Sequence, residues 1–449
     1  MSTNEREIPV TVLSGALGAG KTTLLNHLLS TTRDADSTEV AVLVNDMGEV
    51  NVDAELIEEG TDLSIADGSV AELSNGCICC ELRGDLEQAV VSLAQQRDFD
   101  ALVVESSGIS EPAPVARLFA TGSEAAARYA VDALVTVVDA RGFYDAFGGE
   151  DDKDSENSQN GERRPERRGV GTDGTRPLSD LLIEQVETSN LVVVNKCDLV
   201  TDSELAVVEE LIEVLRPDAE IRRTTYGDLE RDRLLGRGLF DPQRTLEAAG
   251  WRRTLDDAGA IESADDGREH DHDQRHDDRD SHDGHSHPQD EYGISSFVYR
   301  RRRPFHPERV ATVLANLPDS VVRSKGRCSV AGRDLIYTFG QAGPSARVEA
   351  TGRWIASLPP FEQDAYRSNR SDLDWDEQWG DRRAELVFIG TGVDREHLTD
   401  RLDGCLLSDA EIDADPETFE NPFPTDGDEV LELATSRPAA GAGSDATDG

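Results

Sequence analysis

The sequence predicts a doubly wound α/β domain that is followed by a smaller α+β domain. Five apolar runs in the first half of the chain are continuous rather than alternating, as in strands of a parallel sheet that is covered on both faces. Helical stretches lie between or after several of these runs, at residues 22–29, 85–95 and 204–215, and such alternation is typical of a doubly wound sheet. The predicted strands cover residues 10–15, 40–45, 101–106, 133–140 and 191–196.

A second, smaller set of strands and helices is predicted after residue 293. It mixes strands and helices without the regular alternation of the first half, which indicates an α+β domain. The predicted strands cover residues 294–305, 321–330, 334–339 and 384–392, and the predicted helices cover residues 306–316 and 394–402.

Two polar segments divide the chain into its expected domains. Residues 148–177 are nearly free of aliphatic side chains and predict a flexible insertion. Residues 251–293 are rich in His and Asp and predict a linker. We therefore expect a first domain over residues 1–250, a C-terminal domain over 294–412 and an acidic, disordered tail over 413–449.

The chain is strongly acidic, with 91 Asp and Glu against 45 Lys and Arg and a formal net charge of −46. Nucleic acid is therefore excluded as a partner, because its phosphates would be repelled. Only four of the basic residues are lysines, and acid excess with depleted lysine resembles the proteomes of salt-loving archaea. In molar salt the Debye length is roughly 3 Å, so a folded acidic surface is screened from self-repulsion.

The sequence predicts neither a membrane span nor a secretory signal. No run of about 18 apolar residues exists, and the first ten residues, MSTNEREIPV, lack an apolar signal core. We therefore expect a cytoplasmic protein without a membrane partner. In a reducing compartment its six cysteines are expected to be ligands or core residues rather than disulfides.

The segment GALGAGKT, residues 15–22, matches the phosphate-loop pattern G-x-x-x-x-G-K-[ST]. Gly15 and Gly20 let backbone N–H groups wrap the phosphates, Lys21 reaches the β- and γ-phosphates, and the Thr22 hydroxyl binds Mg²⁺. The pattern follows a predicted strand and opens a predicted helix, a context that favours a P-loop NTPase over a glycine-rich turn.

The segment NKCD, at the end of the last predicted strand of the first domain, matches the pattern N-K-x-D. The carboxylate of Asp198 can accept from both the ring N–H and the exocyclic amine of guanine, together with Asn195 and Lys196 in the same motif. Adenine offers neither donor in that geometry, so the motif favours GTP over ATP.

Acidic residues follow two other predicted strands. Glu105, in VVESSG, is a candidate for the Mg²⁺-side carboxylate, and Gly108 would allow backbone approach to the γ-phosphate. Asp46 and Glu49, in NDMGEV, are candidates for Mg²⁺, for the attacking water or for a second metal. An ordinary strand-end acid and an acidic surface loop remain the plain alternatives.

Three cysteines fall within four residues in LSNGCICCELRGDL. A turn beginning at Gly76 could bring Cys77, Cys79 and Cys80 together, and thiolates at this spacing suit Zn²⁺ or another divalent ion that tolerates soft ligands. A redox pair and buried, inert thiols are the alternatives. Three thiolates leave a four-coordinate ion one ligand short, so a carboxylate, water or partner must complete the site.

A run of six histidines lies in the predicted linker. Imidazoles in a flexible acidic segment can hold several divalent ions loosely, and a solvated low-complexity linker is the alternative. The histidines are His270, His272, His276, His282, His285 and His287.

With these motifs the sequence resembles the CobW-type GTPases, which are related to the nickel-insertion GTPases of urease and hydrogenase. The resemblance implies slow GTP hydrolysis and a metallochaperone role for Zn²⁺ or Co²⁺, with the metal bound at the cysteine motif beside the nucleotide. It departs at Asp46, where the family usually has glutamate. It assigns phosphates to Gly18, Ala19, Gly20, Lys21, Thr22 and Thr23, guanine to Asn195, Lys196 and Asp198, and metal to Cys77, Cys79 and Cys80. The segments that carry it include SGALGAGKTTLLNHLL, ELSNGCICCELRGDL, ESSGISEPAPV, LVVVNKCDLV and GDRRAELVFIGTGVD.

The expected function is GTP-dependent delivery of a divalent metal to a client metalloprotein. Two alternatives stay open at this stage: an accessory protein that supplies cobalt to a chelatase in cobalamin synthesis, and a metal store with secondary nucleotide binding. A metal- or nucleotide-dependent dimer is compatible with each of them.

The acidic composition predicts a dependence on salt. We expect the chain to lose structure below roughly 1 M salt, because its surface charges then repel each other with less screening. Circular dichroism during a salt titration measures this, and an unchanged fold down to millimolar salt would contradict the halophilic interpretation.

Overall fold

The structure, a computed structural model, contains two compact units. One is built on a seven-stranded sheet and the other on a six-stranded sheet. The structure describes residues 7–30, 39–44, 70–72, 83–96, 98–106, 112–120, 125–148, 178–242, 294–343, 345–370, 373–415, 418–427 and 429–433.

The first unit contains a parallel sheet in the order β3-β2-β4-β1-β5-β6-β7. The chain moves outward from β1 in both directions, so the predicted doubly wound fold is confirmed. The strands are β1 (Ile8–Gly15), β2 (Val40–Val44), β3 (Val70–Glu72), β4 (Ala101–Glu105), β5 (Tyr129–Asp139), β6 (Leu191–Asn195) and β7 (Glu220–Arg223).

Apolar side chains cover both faces of this sheet. Val10, Val12 and Val104 belong to one buried cluster, and Leu13 and Val103 belong to another that includes side chains of the first helix. This two-sided burial explains why the strands are continuously apolar. The helices of the unit are α1 (Lys21–Ser30), α2 (Arg83–Gln96), α3 (Pro112–Ala120), α4 (Ala140–Phe147), α5 (Leu178–Thr188) and α6 (Asp202–Leu215).

The second unit contains a sheet in the order β13-β11-β10-β9-β12-β8, and strands β9, β10, β11 and β13 pair antiparallel in the described residues. A separate C-terminal α+β fold, as predicted, is thereby confirmed. The strands are β8 (Ile294–Arg301), β9 (Val321–Cys328), β10 (Leu335–Ala342), β11 (Ser345–Arg353), β12 (Ala384–Thr391) and β13 (Val430–Glu432). The helices are α7 (Pro307–Ala315), α8 (Pro360–Asn369), α9 (Arg395–Asp403) and α10 (Asp409–Ile412).

The expected disorder from residue 413 onward is wrong for the part of the tail that the structure describes. Phe423 is 2% exposed and its ring lies 5.1 Å from that of Tyr337 between centroids. The Tyr337 hydroxyl donates to the carbonyl of Pro424 at 2.6 Å, and β13 pairs antiparallel with β11. One aromatic side chain and one short strand hold this segment against the core, although its composition is acidic.

No helix among the described residues is long and apolar enough to cross a membrane.

The burial of Phe423 predicts its contribution to stability. Phe423→Ala should lower the free energy of unfolding by about 3–5 kcal/mol, because it leaves a cavity beside Tyr337. Phe361→Ala is the matched control, since Phe361 is 81% exposed and its removal should change stability by no more than about 0.5 kcal/mol. Denaturant unfolding of both variants at one fixed salt concentration measures the difference. Equal stabilities would contradict the role of the tail.

Candidate nucleotide site

The candidate site lies where four parallel strands end. Gly15, Glu105, Asp139 and Asn195 are the last residues of β1, β4, β5 and β6. In the sheet register Asp139 is the partner of Asn195. Since carboxyl ends of parallel strands share one edge, the four residues line the edge at which doubly wound folds bind ligands.

Three glycines of the phosphate loop have positive φ angles, 142° at Gly15, 77° at Gly18 and 103° at Gly20. A Cβ at Gly15 would lie 2.3 Å from the carbonyl oxygen of Val137, and a Cβ at Gly20 would lie 2.2 Å from Nδ2 of Asn195. Both the backbone conformation and the space therefore require glycine at Gly15 and Gly20. Helix α1 begins directly after Gly20, so its N-terminal N–H groups are at the loop.

Lys21 is held against the loop that precedes it. Its ammonium donates to the carbonyl of Gly15 at 3.0 Å and to that of Ala16 at 3.3 Å, and the residue is 5% exposed. An ammonium has three donors, so the two carbonyls orient the group and leave a donor for a phosphate.

Asn195 ties the phosphate loop to a second loop. Its Nδ2 donates to the carbonyl of Ala19 at 2.9 Å, and its Oδ1 accepts from the backbone N–H of Gly227 at 3.2 Å. The residue is 2% exposed. Both ends of the amide therefore hold backbone in place, which makes Asn195 a positioning residue in this structure.

Lys196 has a left-handed backbone, with φ of 59°, and its ammonium lies 2.7 Å from Oδ2 of Asp139. The other carboxylate oxygen of Asp139 accepts from the N–H of Gly142 at 3.2 Å and caps α4. One carboxylate thus fixes a helix start and a lysine of the N-K-x-D motif. The role of Asp139 was missed by the sequence analysis, which treated it only as part of a strand.

Asp198 lies in a short 3-10 turn, Cys197–Leu199, and is exposed. The turn is held by the N–H of Cys197, which donates to the carbonyl of Thr224 at 3.3 Å. The Cys197 thiol donates to the carbonyl of Val194 at 3.2 Å, and burial raises the pKa of this thiol, so it stays neutral. The turn presents the Asp198 carboxylate to solvent with acceptor oxygens available to a base.

The oxygen donors expected for Mg²⁺ are Thr22 and Glu105. Thr22 lies in the first turn of α1 and is half-buried, and Glu105 is 1% exposed at the end of β4, beside β1. A hydroxyl and a carboxylate are ligands that Mg²⁺ accepts, so this donor set fits the ion.

The loop from Thr224 to Asp228 also belongs to the site and was missed by the sequence analysis. The Thr224 N–H donates to the carbonyl of Val194 at 2.8 Å. Gly227 has φ of 69°, and a Cβ there would lie 2.8 Å from Cα of Leu24 in α1. This glycine, four residues after the end of β7, was the available sequence signal for a close backbone approach.

The predicted metal ligands lie outside the described residues. Among the residues that the structure does describe, no group of three or more His, Cys, Asp or Glu side chains is arranged to hold a metal ion. The predicted site residues that fall outside are Asp46, Glu49, Cys77, Cys79, Cys80, Gly108, His270, His272, His276, His282, His285 and His287.

A phosphate loop at the switch point of a doubly wound sheet, hydrogen-bonded to an N-K-x-D segment, defines a P-loop protein that binds guanine nucleotides. Residues 9–223 match the family described as "CobW/HypB/UreG, nucleotide-binding domain", and residues 294–406 match the "Cobalamin synthesis protein cobW C-terminal domain". The chain belongs to this family and is a GTPase.

Curated relatives support the same family. The chain is 37% identical over 427 residues to "Zinc-regulated GTPase metalloprotein activator 1" of Dictyostelium discoideum, which covers 90% of this chain and 81% of the relative. It is 33% identical over 239 residues to "Zinc chaperone CobW" of Pseudomonas aeruginosa, with 51% of this chain and 60% of the relative covered. It is 38% identical over 138 residues to "Zinc chaperone YjiA" of Escherichia coli, with 30% and 41% covered.

The exposed position of Asp198 predicts a change of base preference without loss of fold. Asp198→Asn should weaken GTP binding by about 100-fold or more, because two charge-assisted hydrogen bonds to guanine are lost. Xanthosine triphosphate should bind the variant better than GTP does, since its C2 carbonyl accepts from the new amide. Calorimetric titration with GTP, ATP and xanthosine triphosphate measures the change.

The control is Asp232→Asn, another exposed carboxylate of the same unit, which should bind GTP like the unaltered protein. If ATP competes equally with GTP in the unaltered protein, the guanine assignment is wrong.

Proposed function

We propose that the chain is a GTP-hydrolysing metallochaperone that delivers zinc to a client metalloprotein. The observation that carries the proposal is the similarity over 90% of the chain to a relative named as a zinc-regulated GTPase metalloprotein activator. The bond from Asn195 to Ala19 supports the GTP half of the proposal, because it joins the base-reading segment to the phosphate loop.

The geometry of the described loops supports a set of proposed nucleotide contacts. The phosphates would be bound by the backbone of the loop from Gly15 to Gly20 and by Lys21 and Thr23, and guanine would be read by Asp198. Mg²⁺ would be held by the Thr22 hydroxyl and by Glu105, directly or through water, and would supply positive charge against the phosphates. Asp46, Glu49 and Gly108 remain candidates on the γ-phosphate side.

The metal cargo would be bound by Cys77, Cys79 and Cys80. Thiolates prefer Zn²⁺ to the harder divalent ions, and two relatives at 33% and 38% identity are named zinc chaperones. Zinc is therefore the first choice and Co²⁺ the second ion to be tested. The histidine run between His270 and His287 would bind further ions more loosely.

The cysteine motif lies between two segments that are expected to contact the γ-phosphate or its Mg²⁺. NDMGEV precedes it, and the strand that ends at Glu105 follows it. Such segments in GTPases are ordered by the triphosphate and released on hydrolysis. GTP would thus draw the three thiols into one metal site, and GDP would loosen it.

We place this function in a cytoplasm of high salt, as the acidic composition suggests. The client would be a metalloprotein or, if cobalt is the cargo, a chelatase of cobalamin synthesis. A dimer formed in the presence of metal or nucleotide is compatible with delivery. We further propose a first domain over residues 1–250 and a C-terminal domain that begins at residue 294, with the linker between them.

Coupling between nucleotide and metal tests the proposal. With residues 270–287 deleted, Zn²⁺ should bind about 5- to 150-fold more tightly in the presence of a non-hydrolysable GTP analogue than with GDP, and Zn²⁺ should raise the affinity for the analogue by the same factor. Competition with a fluorescent chelator at fixed salt measures the affinities of the protein for Zn²⁺ and for Co²⁺.

The control replaces Cys77, Cys79 and Cys80 with serine, which should abolish the coupling and leave basal GTP binding intact. Equal Zn²⁺ affinities with the analogue and with GDP would reduce the thiols to a static site, and no Zn²⁺ binding at all would end the metallochaperone assignment.

A further inference from the structure

Two residues other than glycine have positive φ angles among those that the structure describes. They are Lys196, at 59°, and Tyr226, at 56°. For a bulky side chain such as tyrosine this conformation is an outlier, and outliers of this kind cluster at ligand sites. That both residues lie in the two loops of the candidate nucleotide site points to a shared role there.

Two hydrogen bonds join these loops, and the two residues lie between them. The N–H of Cys197 donates to the carbonyl of Thr224 at 3.3 Å, and the N–H of Gly227 donates to Oδ1 of Asn195 at 3.2 Å. Lys196 therefore lies between the bonded residues Asn195 and Cys197 on one loop. Tyr226 lies between their partners, Thr224 and Gly227, on the other loop. The bonds fix the backbone that carries the Tyr226 ring.

The Tyr226 side chain is 76% exposed. The other large apolar side chains that are exposed in the described part of the first unit are Leu17, in the phosphate loop, and Leu199, beside Asp198. All three lie in loops at the carboxyl edge of the sheet, whereas the strands and helices of this unit bury theirs. Exposed apolar surface confined to one edge marks a binding site rather than random surface variation.

We propose that the Tyr226 ring stacks on the face of the guanine base and is a base-binding residue of the GTP site. The proposal rests on the proposed guanine site and deepens it: Asp198 reads the edge of the base, and Tyr226 covers its face. A purine presents a flat π-surface, and stacking on an aromatic ring is the interaction that such a surface offers. The left-handed backbone places the ring where a residue with negative φ would not.

Three substitutions separate the contribution of the Tyr226 ring to binding from that of its left-handed backbone. Tyr226→Asn removes the ring but tolerates the left-handed conformation, Tyr226→Gly removes the ring and any strain, and Tyr226→Phe keeps the ring without its hydroxyl. Tyr226→Asn and Tyr226→Gly should bind GDP roughly 5- to 150-fold more weakly, the range that base stacking supplies. Tyr226→Phe should stay within about twofold of the unaltered protein.

Inorganic triphosphate is the probe that lacks a base. Its affinity for the phosphate loop should be the same in all three variants. If it weakens in parallel with GDP, the residue supports the loop and the stacking role is refuted. A GDP affinity of Tyr226→Asn within twofold of that of the unaltered protein would also refute the stacking role and would leave the exposed ring to a protein partner. A loss of GDP affinity in Tyr226→Phe equal to that in Tyr226→Asn would refute it as well.

Tyr226→Trp supplies a direct signal of contact. Guanine quenches the fluorescence of a stacked indole, so GDP should quench the emission that this variant adds to that of the four native tryptophans, and inorganic triphosphate should not. Asp198→Asn distinguishes failure of the stacking proposal from failure of the proposed guanine site. If it weakens GDP binding while the Tyr226 variants do not, only the stacking fails, and if it has no effect the guanine site itself is wrong.

Discussion

The amide of Asn195 is the interaction on which the nucleotide site depends. It joins the phosphate loop to the Thr224–Asp228 loop through Ala19 and Gly227, so three segments that are far apart in the sequence share one buried side chain. An unpaired buried amide is costly, and both ends of this one are satisfied only when the loops are in place. The bond network therefore couples the position of the phosphates to the position of the base.

Close backbone approach is the second constraint, and it follows from the first. A Cβ at Gly20 would occupy the place of the Asn195 amide, and a Cβ at Gly227 would meet α1 at Leu24. These glycines are required by their neighbours as well as by their φ angles. Lys196 is held by a neighbouring strand end in the same way. One carboxylate oxygen of Asp139 binds its ammonium, and the other oxygen caps α4. The site is thus assembled from strand ends whose side chains hold one another.

Much of this arrangement could be predicted from the sequence, and the exceptions have physical reasons. The continuously apolar strands, the phosphate loop and the N-K-x-D segment are local patterns, and the fold they imply was correct. Strand β11 and the buried Phe423 were missed, because their order depends on distant partners such as Tyr337 rather than on local periodicity. Tyr226 was not identified from the sequence for the same reason. A backbone angle and two bonds to another loop identify it, and neither leaves a pattern in the residues around it.

The geometry also separates two tasks within the site. The base side is held by hydrogen bonds that involve Asn195, Cys197 and Asp139, and none of these groups distinguishes GTP from GDP, because both nucleotides carry the same base. A ligand shifts an equilibrium only by its differential affinity for two states. Any change that GTP hydrolysis causes must therefore originate at the γ-phosphate, for which Glu105, Asp46 and Gly108 are the proposed contacts. Contacts to the base supply affinity that is common to both nucleotides, so only contacts to the γ-phosphate can bias the proposed metal site between the GTP and GDP states.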